Sequence, residues 1–129
     1  MSIFNNLFGN KENTDKSSYI NWIPLTSKEQ LEEIKTESDA EAILIFKHST
    51  RCGISSMVKR QFEGLFAEEH QSLKVYYLDL LNYRTISNEI EEIFNVLHQS
   101  PQLIVIRNQT AVFNASHYDI TEVNLTRFL

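Results

Sequence analysis

The sequence predicts an α/β fold in which a mixed central sheet is flanked by helices, with the element order β-α-β-α-β-α-β-β-α. Residues Ala42-Ile43-Leu44-Ile45-Phe46 form a continuous apolar run, as expected for a central strand buried on both faces. Helical and strand patterns alternate around this run, so the early strands are joined by crossovers and must be parallel. The last two strand patterns are separated only by Asn108-Gln109-Thr110, which predicts an antiparallel hairpin.

The first strand and the first helix precede the apolar run. Trp22-Ile23-Pro24-Leu25 is predicted to be a short edge strand, because proline is tolerated at the edge of a sheet. A helix then opens near Ser27, which has capping-box spacing with Gln30. Leu31 and Ile34 supply the apolar face of this helix.

The second helix is predicted from about Cys52 to Glu69, and the third strand from Lys74 to Leu80. The apolar face of the second helix is assigned to Ile54, Val58, Phe62, Leu65 and Phe66. Ser87 is expected to cap the third helix. The apolar residues of that helix are Ile90, Ile93 and Phe94.

The chain is expected to close with the hairpin and one more helix. The hairpin strands are predicted over residues 102–107 and 111–116. The last helix is predicted from about Thr121 to Leu129, with Val123, Leu125 and Phe128 as its apolar residues.

Length and charge suit one acidic domain. The 129 residues fit a domain at 21–129 preceded by a flexible tail at 1–20, in which Ile3, Phe4, Leu7 and Phe8 have helical spacing. A net charge of −5 argues against general binding to nucleic acid or to anionic membranes. The first residues do not resemble a secretory signal, and no apolar run has the length of a membrane span. We therefore expect a cytoplasmic protein.

Cys52 is the only cysteine, so it cannot stabilise the fold through an internal disulfide. It follows the buried strand and begins an amphipathic helix, at the carboxyl end of the parallel strands, where ligand sites form. Unpaired N–H groups and the positive end of the helix dipole favour a thiolate at such a position. Ser55 lies three residues later and can reach the same face, while Arg51 and Lys47 add positive charge. The pattern predicts an activated nucleophile.

The segment Thr50-Arg51-Cys52-Gly53-Ile54-Ser55 resembles the C-x-x-C site of thioredoxins with Ser55 in place of the second cysteine, and it is close to the C-G-F-S motif of monothiol glutaredoxins. Over residues 20–129 the chain resembles the YtxJ-like family of monothiol bacilliredoxins, which implies a thioredoxin-like fold. The segments that carry this resemblance are residues 46–55, 78–84, 98–102 and 115–120.

The resemblance implies exchange with bacillithiol, a cysteine-bearing glucosamine malate. Cys52 would take this thiol from a protein mixed disulfide and then be freed by a second thiol. The partners would be S-thiolated proteins and a low-molecular-weight thiol, with no tightly bound cofactor and no metal. Arg51, Gly53 and Ser55 are expected to stabilise the thiolate. We expect the chain to act as a monomer.

Substrate binding is assigned to Thr50, Arg84, Ser100 and Pro101. Ser100-Pro101 precedes a strand, where thioredoxin-fold proteins carry a cis-proline, and the backbone of Ser100 could pair with a substrate strand. Arg84 is a planar donor suited to carboxylates such as those of malate. Thioredoxins keep a buried carboxylate six residues before the first cysteine, and Phe46 stands there instead. We interpret His98 and His117 as hydrogen-bonded edge or surface residues.

Two alternatives remain open at this point. One is an iron–sulfur carrier of the monothiol glutaredoxin kind, which would need an external thiol to complete the four ligands of a cluster shared by two chains. Glutaredoxins carry a Gly-Gly turn near the last helix, and Ser116-His117-Tyr118-Asp119 occupies that region here. The other is an interaction module that keeps the fold without turnover.

Overall fold

The computed structural model describes residues 18–129, so nearly all of the predicted tail at 1–20 lies outside the described residues. The strands are β1 (Trp22–Pro24), β2 (Ile43–His48), β3 (Lys74–Asp79), β4 (Gln102–Arg107) and β5 (Thr110–Ser116). They form one five-stranded sheet in the order β1-β3-β2-β4-β5. β3 pairs in parallel with β1 and β2, whereas β4 pairs antiparallel with β2 and β5. The predicted mixed sheet with a closing hairpin is confirmed.

The helices are α1 (Glu29–Glu37), α2 (Gly53–Gly64) and α3 (Arg84–Phe94). Three short 3₁₀ segments, Glu68–His70, His117–Glu122 and Leu125–Phe128, complete the elements of the described chain. No helix among the described residues is long and apolar enough to cross a membrane.

Strand β2 lies at the centre of the core because its side chains alternate between two apolar layers. Leu44 and Phe46 pack in the layer that α2 covers, together with Val58 and Phe62. Ile43 and Ile45 pack in the opposite layer, under α1 and α3. The last two residues of β2, Lys47 and His48, are also buried, and by alternation they continue these two faces with polar side chains.

Two of the predicted helix ends were wrong. α2 ends at Gly64 instead of near Glu69, because glycine is a poor helix former, and Glu68–His70 is a separate 3₁₀ turn. α3 begins at Arg84, so Ser87 lies buried within its first turn and donates its N–H to the carbonyl of Tyr83 over 3.1 Å. Ser87 is therefore not the cap.

The prediction of a closing helix was also wrong, because the chain forms the two 3₁₀ segments His117–Glu122 and Leu125–Phe128 there. Val123 is extended between them, with ψ near 142°. Asn124 caps the second segment by accepting a hydrogen bond from the N–H of Thr126 over 3.1 Å. Asparagine side chains favour such caps over helix interiors, which explains the break. Leu125 and Phe128 are three residues apart, a spacing that suits a 3₁₀ turn.

Candidate functional site

Cys52 occupies the N-cap of α2 and is partly buried. Its backbone is extended, with φ −106° and ψ 120°, and its carbonyl accepts the N–H of Ser56 over 3.1 Å, as an N-cap carbonyl does. Its own N–H donates to the carbonyl of Ser49 over 3.2 Å, which closes the turn between β2 and α2. Within the described chain, the sulfur makes no capping hydrogen bond with the first turn of the helix. The thiol therefore lies at the positive end of the helix without being tied to it.

The hydroxyl of Ser55 is fully buried and bonds to the end of β2. Its Oγ lies 2.7 Å from Nδ1 of His48 and accepts the N–H of Ser49 over 3.2 Å. These two contacts fasten the first turn of α2 to the strand that carries the Cys52 turn. Sequence reasoning assigned Ser55 to the sulfur and did not include His48. The role of Ser55 towards the thiolate stays a prediction.

His48 is a buried ring in the aromatic layer under α2. Its centroid lies 5.7 Å from that of Tyr77 and 6.5 Å from that of Phe46. Burial, assisted by the ammonium of Lys59, lowers the pKa of His48 below its ordinary 6.5, while Asp79 and Glu63 oppose this. The ring is therefore neutral at pH 7, and the tautomer with an unprotonated Nδ1 can accept a hydrogen bond from the hydroxyl of Ser55.

Asp79 brings a carboxylate to the same end of the sheet. It pairs in register with His48 on the adjacent strand, so both side chains point to the α2 face. Its Oδ2 accepts from Nδ2 of Asn82 over 2.7 Å. Among the described residues, its Oδ1 and the hydroxyl of Ser100 are buried without a hydrogen-bond partner. Buried polar atoms of this kind are rare in folded proteins, and a role in the chemistry of a site is one of the reasons for which they occur.

The sheet register brings three predicted site segments to one end of the molecule. The turn carrying Cys52 follows β2, and Arg84 follows β3, which runs parallel to β2. β4 runs antiparallel, with Gln102 opposite Lys47, so Ser100 and Pro101 enter the sheet from this same end. The Ser100–Pro101 peptide bond is cis. The carbonyl of Pro101 accepts the N–H of His117 over 3.0 Å.

The residues around Cys52 are mostly exposed. Thr50, Arg51, Gly53 and Arg84 all reach solvent. A Cβ added at Gly53 would meet nothing within 4 Å, so the surface beside the sulfur is open. Ile54 was predicted to be in the core, but its side chain is 47% exposed. It presents an apolar surface directly after Cys52 and Gly53.

Lys47 does not lie beside Cys52 in the way that the sequence suggests. It is fully buried on the α1/α3 face, and its Nζ lies 3.1 Å from Nδ1 of His98 and 3.5 Å from the carbonyl of Ser87. The prediction that His98 is a hydrogen-bonded residue is confirmed. His117 is exposed and has a positive φ of 56°.

Sequence reasoning missed His48 and Asp79 at this end of the sheet. Strand alternation from Leu44 and Phe46 places His48 on the α2 face, and helical spacing from Val58 and Phe62 places Ser55 on the face that meets it. These two periodicities together were the available signal for the pair. Among the described residues, no group of three or more histidine, cysteine or acidic side chains has the arrangement of a metal site.

Comparisons with known proteins agree with this geometry. The family model for the monothiol bacilliredoxin BrxC matches residues 23–125. A solved structure described as a candidate oxidoreductase with a thioredoxin fold is 31% identical, covers 82% of this chain and 91% of its own, and superposes with a TM-score of 0.70.

Two thioredoxins share the fold alone. The thioredoxin of Malassezia sympodialis is 16% identical, with a TM-score of 0.66 and coverage of 81% of this chain and 88% of its own. That of Schistosoma mansoni is 19% identical, with a TM-score of 0.64 and coverage of 87% and 99%. The fold and the family both support thiol–disulfide redox chemistry. The family match over most of the chain shows that this protein belongs to the monothiol bacilliredoxin family.

Proposed function

We propose that the chain removes bacillithiol from protein mixed disulfides through the thiolate of Cys52. The observation that carries this proposal is the open setting of the only cysteine. It lies at the N-cap of α2, beside the exposed Gly53 and Ile54, at the sheet end where the Ser100–Pro101 segment and Arg84 also lie.

The exchange takes place in two balanced steps. The thiolate of Cys52 attacks the bacillithiol sulfur of the mixed disulfide, so a Cys52–bacillithiol bond forms and the bond to the protein sulfur breaks. The protein sulfur leaves as a thiolate and takes a proton from solvent. A second low-molecular-weight thiol then attacks the same bacillithiol sulfur, releases Cys52 as a thiolate and is itself oxidised to a disulfide with bacillithiol.

One cysteine suits this route, because a neighbouring thiol would attack the Cys52–bacillithiol intermediate before an external thiol could. The position of that neighbour is held by Ser55, whose Oγ is engaged with His48 and Ser49. A serine oxygen does not form a disulfide, so Cys52 keeps the bacillithiol until an external thiol arrives.

Recognition of the small thiol is assigned to arginine. Arg51 precedes Cys52 and Arg84 begins α3, and both are exposed. A guanidinium pairs with a carboxylate in bidentate geometry, and the malate of bacillithiol carries two carboxylates. Arg84→Ala is expected to slow exchange with a bacillithiolated protein about 3–10-fold, because an exposed charged pair contributes about 1 kcal/mol. Exchange with the same protein carrying glutathione should change less. An equal loss of rate with both adducts would show that Arg84 has a structural role and does not recognise the malate.

The central test is to incubate the reduced protein with one reporter protein that carries either bacillithiol or glutathione and to follow intact masses. We expect the reporter to lose bacillithiol and Cys52 to gain it, with Cys52→Ser inactive. Preference for the glutathione adduct would contradict the bacillithiol assignment. Visible colour and bound iron after expression would favour the cluster carrier, and no transfer from either adduct would favour the interaction module.

A further inference from the structure

A buried ammonium lies on the face of the sheet opposite to α2, and the proposed exchange chemistry does not use it. Lys47 has 0% of its surface exposed, on a face whose other β2 residues, Ile43 and Ile45, are core aliphatics. Burial lowers its pKa from 10.5 to about 8, and Glu91 partly opposes this. The side chain is therefore still charged at pH 7.

A buried charge is costly, and a methionine would fill the same space without that cost. Lys47 must therefore be explained by what its Nζ contacts. It reaches His98 at Nδ1 over 3.1 Å and the carbonyl of Ser87 over 3.5 Å. Burial, together with the positive charges of Lys47 and Arg84, lowers the pKa of His98, while Glu91 opposes this. His98 is therefore neutral at pH 7, and Nδ1 can accept a hydrogen bond from the ammonium.

His98 belongs to the segment 95–101 between α3 and β4, which we call the docking loop. A second buried side chain, that of Gln102 on β4, also forms hydrogen bonds to this loop. Gln102 is 1% exposed and lies opposite Lys47 in the sheet register. Its Nε2 donates to the carbonyl of Leu97 over 3.0 Å, and its Oε1 accepts the N–H of Gln99 over 3.3 Å.

The outer surface of the docking loop is suited to a protein. Leu97 is 73% exposed. The loop finishes at Ser100 and Pro101, at the same end of the sheet as Cys52. The inner surface is held from two adjacent strands. The ammonium of Lys47 donates to His98, and the side-chain amide of Gln102 donates to the carbonyl of Leu97 and accepts the N–H of Gln99. Such an arrangement fixes the shape of a surface loop before a partner arrives.

We propose that Lys47 is a positioning residue that, with Gln102, presets the docking loop for the protein part of the mixed disulfide. The inference rests on the proposed function and names the part of the substrate that the loop receives. Lys47 acts through the loop and does not touch the reacting sulfur atoms. Its loss should therefore weaken exchange with thiolated proteins and leave reactions of Cys52 with small reagents unchanged.

The test is Lys47→Met, with Lys35→Met as the matched control, because Lys35 is a partly exposed lysine of α1. We expect the rate with a bacillithiolated reporter protein to fall at least ten-fold through a higher KM, with the rates of alkylation by iodoacetamide and of exchange with oxidised bacillithiol within two-fold of the parent. His98→Asn keeps an acceptor near the Nδ1 position and should retain most of the rate, whereas His98→Leu should not. Equal losses with the protein and with the small reagents would overturn the proposal.

Amide hydrogen exchange separates this inference from the proposed function. In Lys47→Met, the amide of Gln99, which donates to Oε1 of Gln102, should exchange at least ten-fold faster, and the amides of α1 should not change. This readout does not need any enzymatic activity, so it applies even if the parent protein transfers no bacillithiol. Unchanged exchange in the docking loop would overturn the positioning role of Lys47.

Discussion

Replacing Ser55 by alanine removes one oxygen and leaves two groups without their partner. Nδ1 of His48 is buried and loses its 2.7 Å contact, and the N–H of Ser49 loses its 3.2 Å acceptor. Ser49 is partly exposed and can bond to water, so the main penalty falls on His48. A buried polar group left unpaired costs about 1–3 kcal/mol. We therefore expect Ser55→Ala to lose about 2 kcal/mol of unfolding free energy.

Urea denaturation measures this loss directly. With a urea dependence of about 1.5 kcal/mol/M, a loss of about 2 kcal/mol lowers the midpoint by roughly 1.3 M. Ser56→Ala is the matched control, because Ser56 is the next residue and is only partly buried. Its midpoint should move by much less.

A double-mutant cycle tests the contact itself. His48→Phe keeps an aromatic ring between Tyr77 and Phe46, and His48→Phe with Ser55→Ala removes both polar partners. The double variant should be more stable than the sum of the two single losses predicts, because no buried group is left unpaired. Additive losses would show that the His48–Ser55 contact contributes nothing of its own.

The same variant tests the predicted role of Ser55 towards the sulfur. If the hydroxyl also stabilises the thiolate, the pH midpoint of the rate of Cys52 alkylation should rise in Ser55→Ala. An unchanged midpoint together with a lower stability would restrict Ser55 to holding α2 on β2.

Three further predictions concern other positions. Gly53 has open space and needs no positive φ, so Gly53→Ala should stabilise the fold by about 0.4–1 kcal/mol in urea, and a loss of stability would contradict the observed backbone. His117 has φ 56°, so His117→Val should lower stability by at least about 1 kcal/mol while His117→Gly should not, and equal effects would argue against a strained backbone there. Lys47 has its pKa lowered to about 8 in the folded state, so unfolding takes up a proton between pH 8 and 10.5 and its contribution to stability rises with pH across that window. Any stability that Lys47→Met gains should therefore be largest below pH 8 and shrink towards pH 10.5, as measured by urea midpoints, and a gain that grows with pH would refute this sign.

The sheet could be predicted from the sequence because its signals are local. The apolar run of β2 and the short link between β4 and β5 fix a buried strand and a hairpin without knowledge of the rest of the chain. The closing helix could not, because apolar residues at Val123, Leu125 and Phe128 suit several helical geometries. The capping preference of Asn124 decided between them.

In the candidate site, too, the features with a local signal could be predicted and the others could not. Cys52 was found because one cysteine after a buried strand is a local pattern. The pair of His48 and Ser55 needed two periodicities read together. The contact of Lys47 with His98 joins residues 51 positions apart through a loop whose path no local pattern describes, so it could not be predicted from the sequence.

Strand β2 ends in two buried polar residues, Lys47 and His48, where a central strand is usually apolar. Their contacts explain this choice. Lys47 and His48 are adjacent and face opposite layers, so one strand end reaches both the docking loop and the first turn of α2. Two aliphatic residues there would bury more apolar surface, but neither could hold a loop or a helix turn by a directed bond. These two polar residues cost stability, and in return they hold the docking loop and the first turn of α2 in place against the same strand. Lys47→Met should therefore separate folding from exchange with thiolated proteins, because this variant can keep its stability while the docking loop loses its fixed shape.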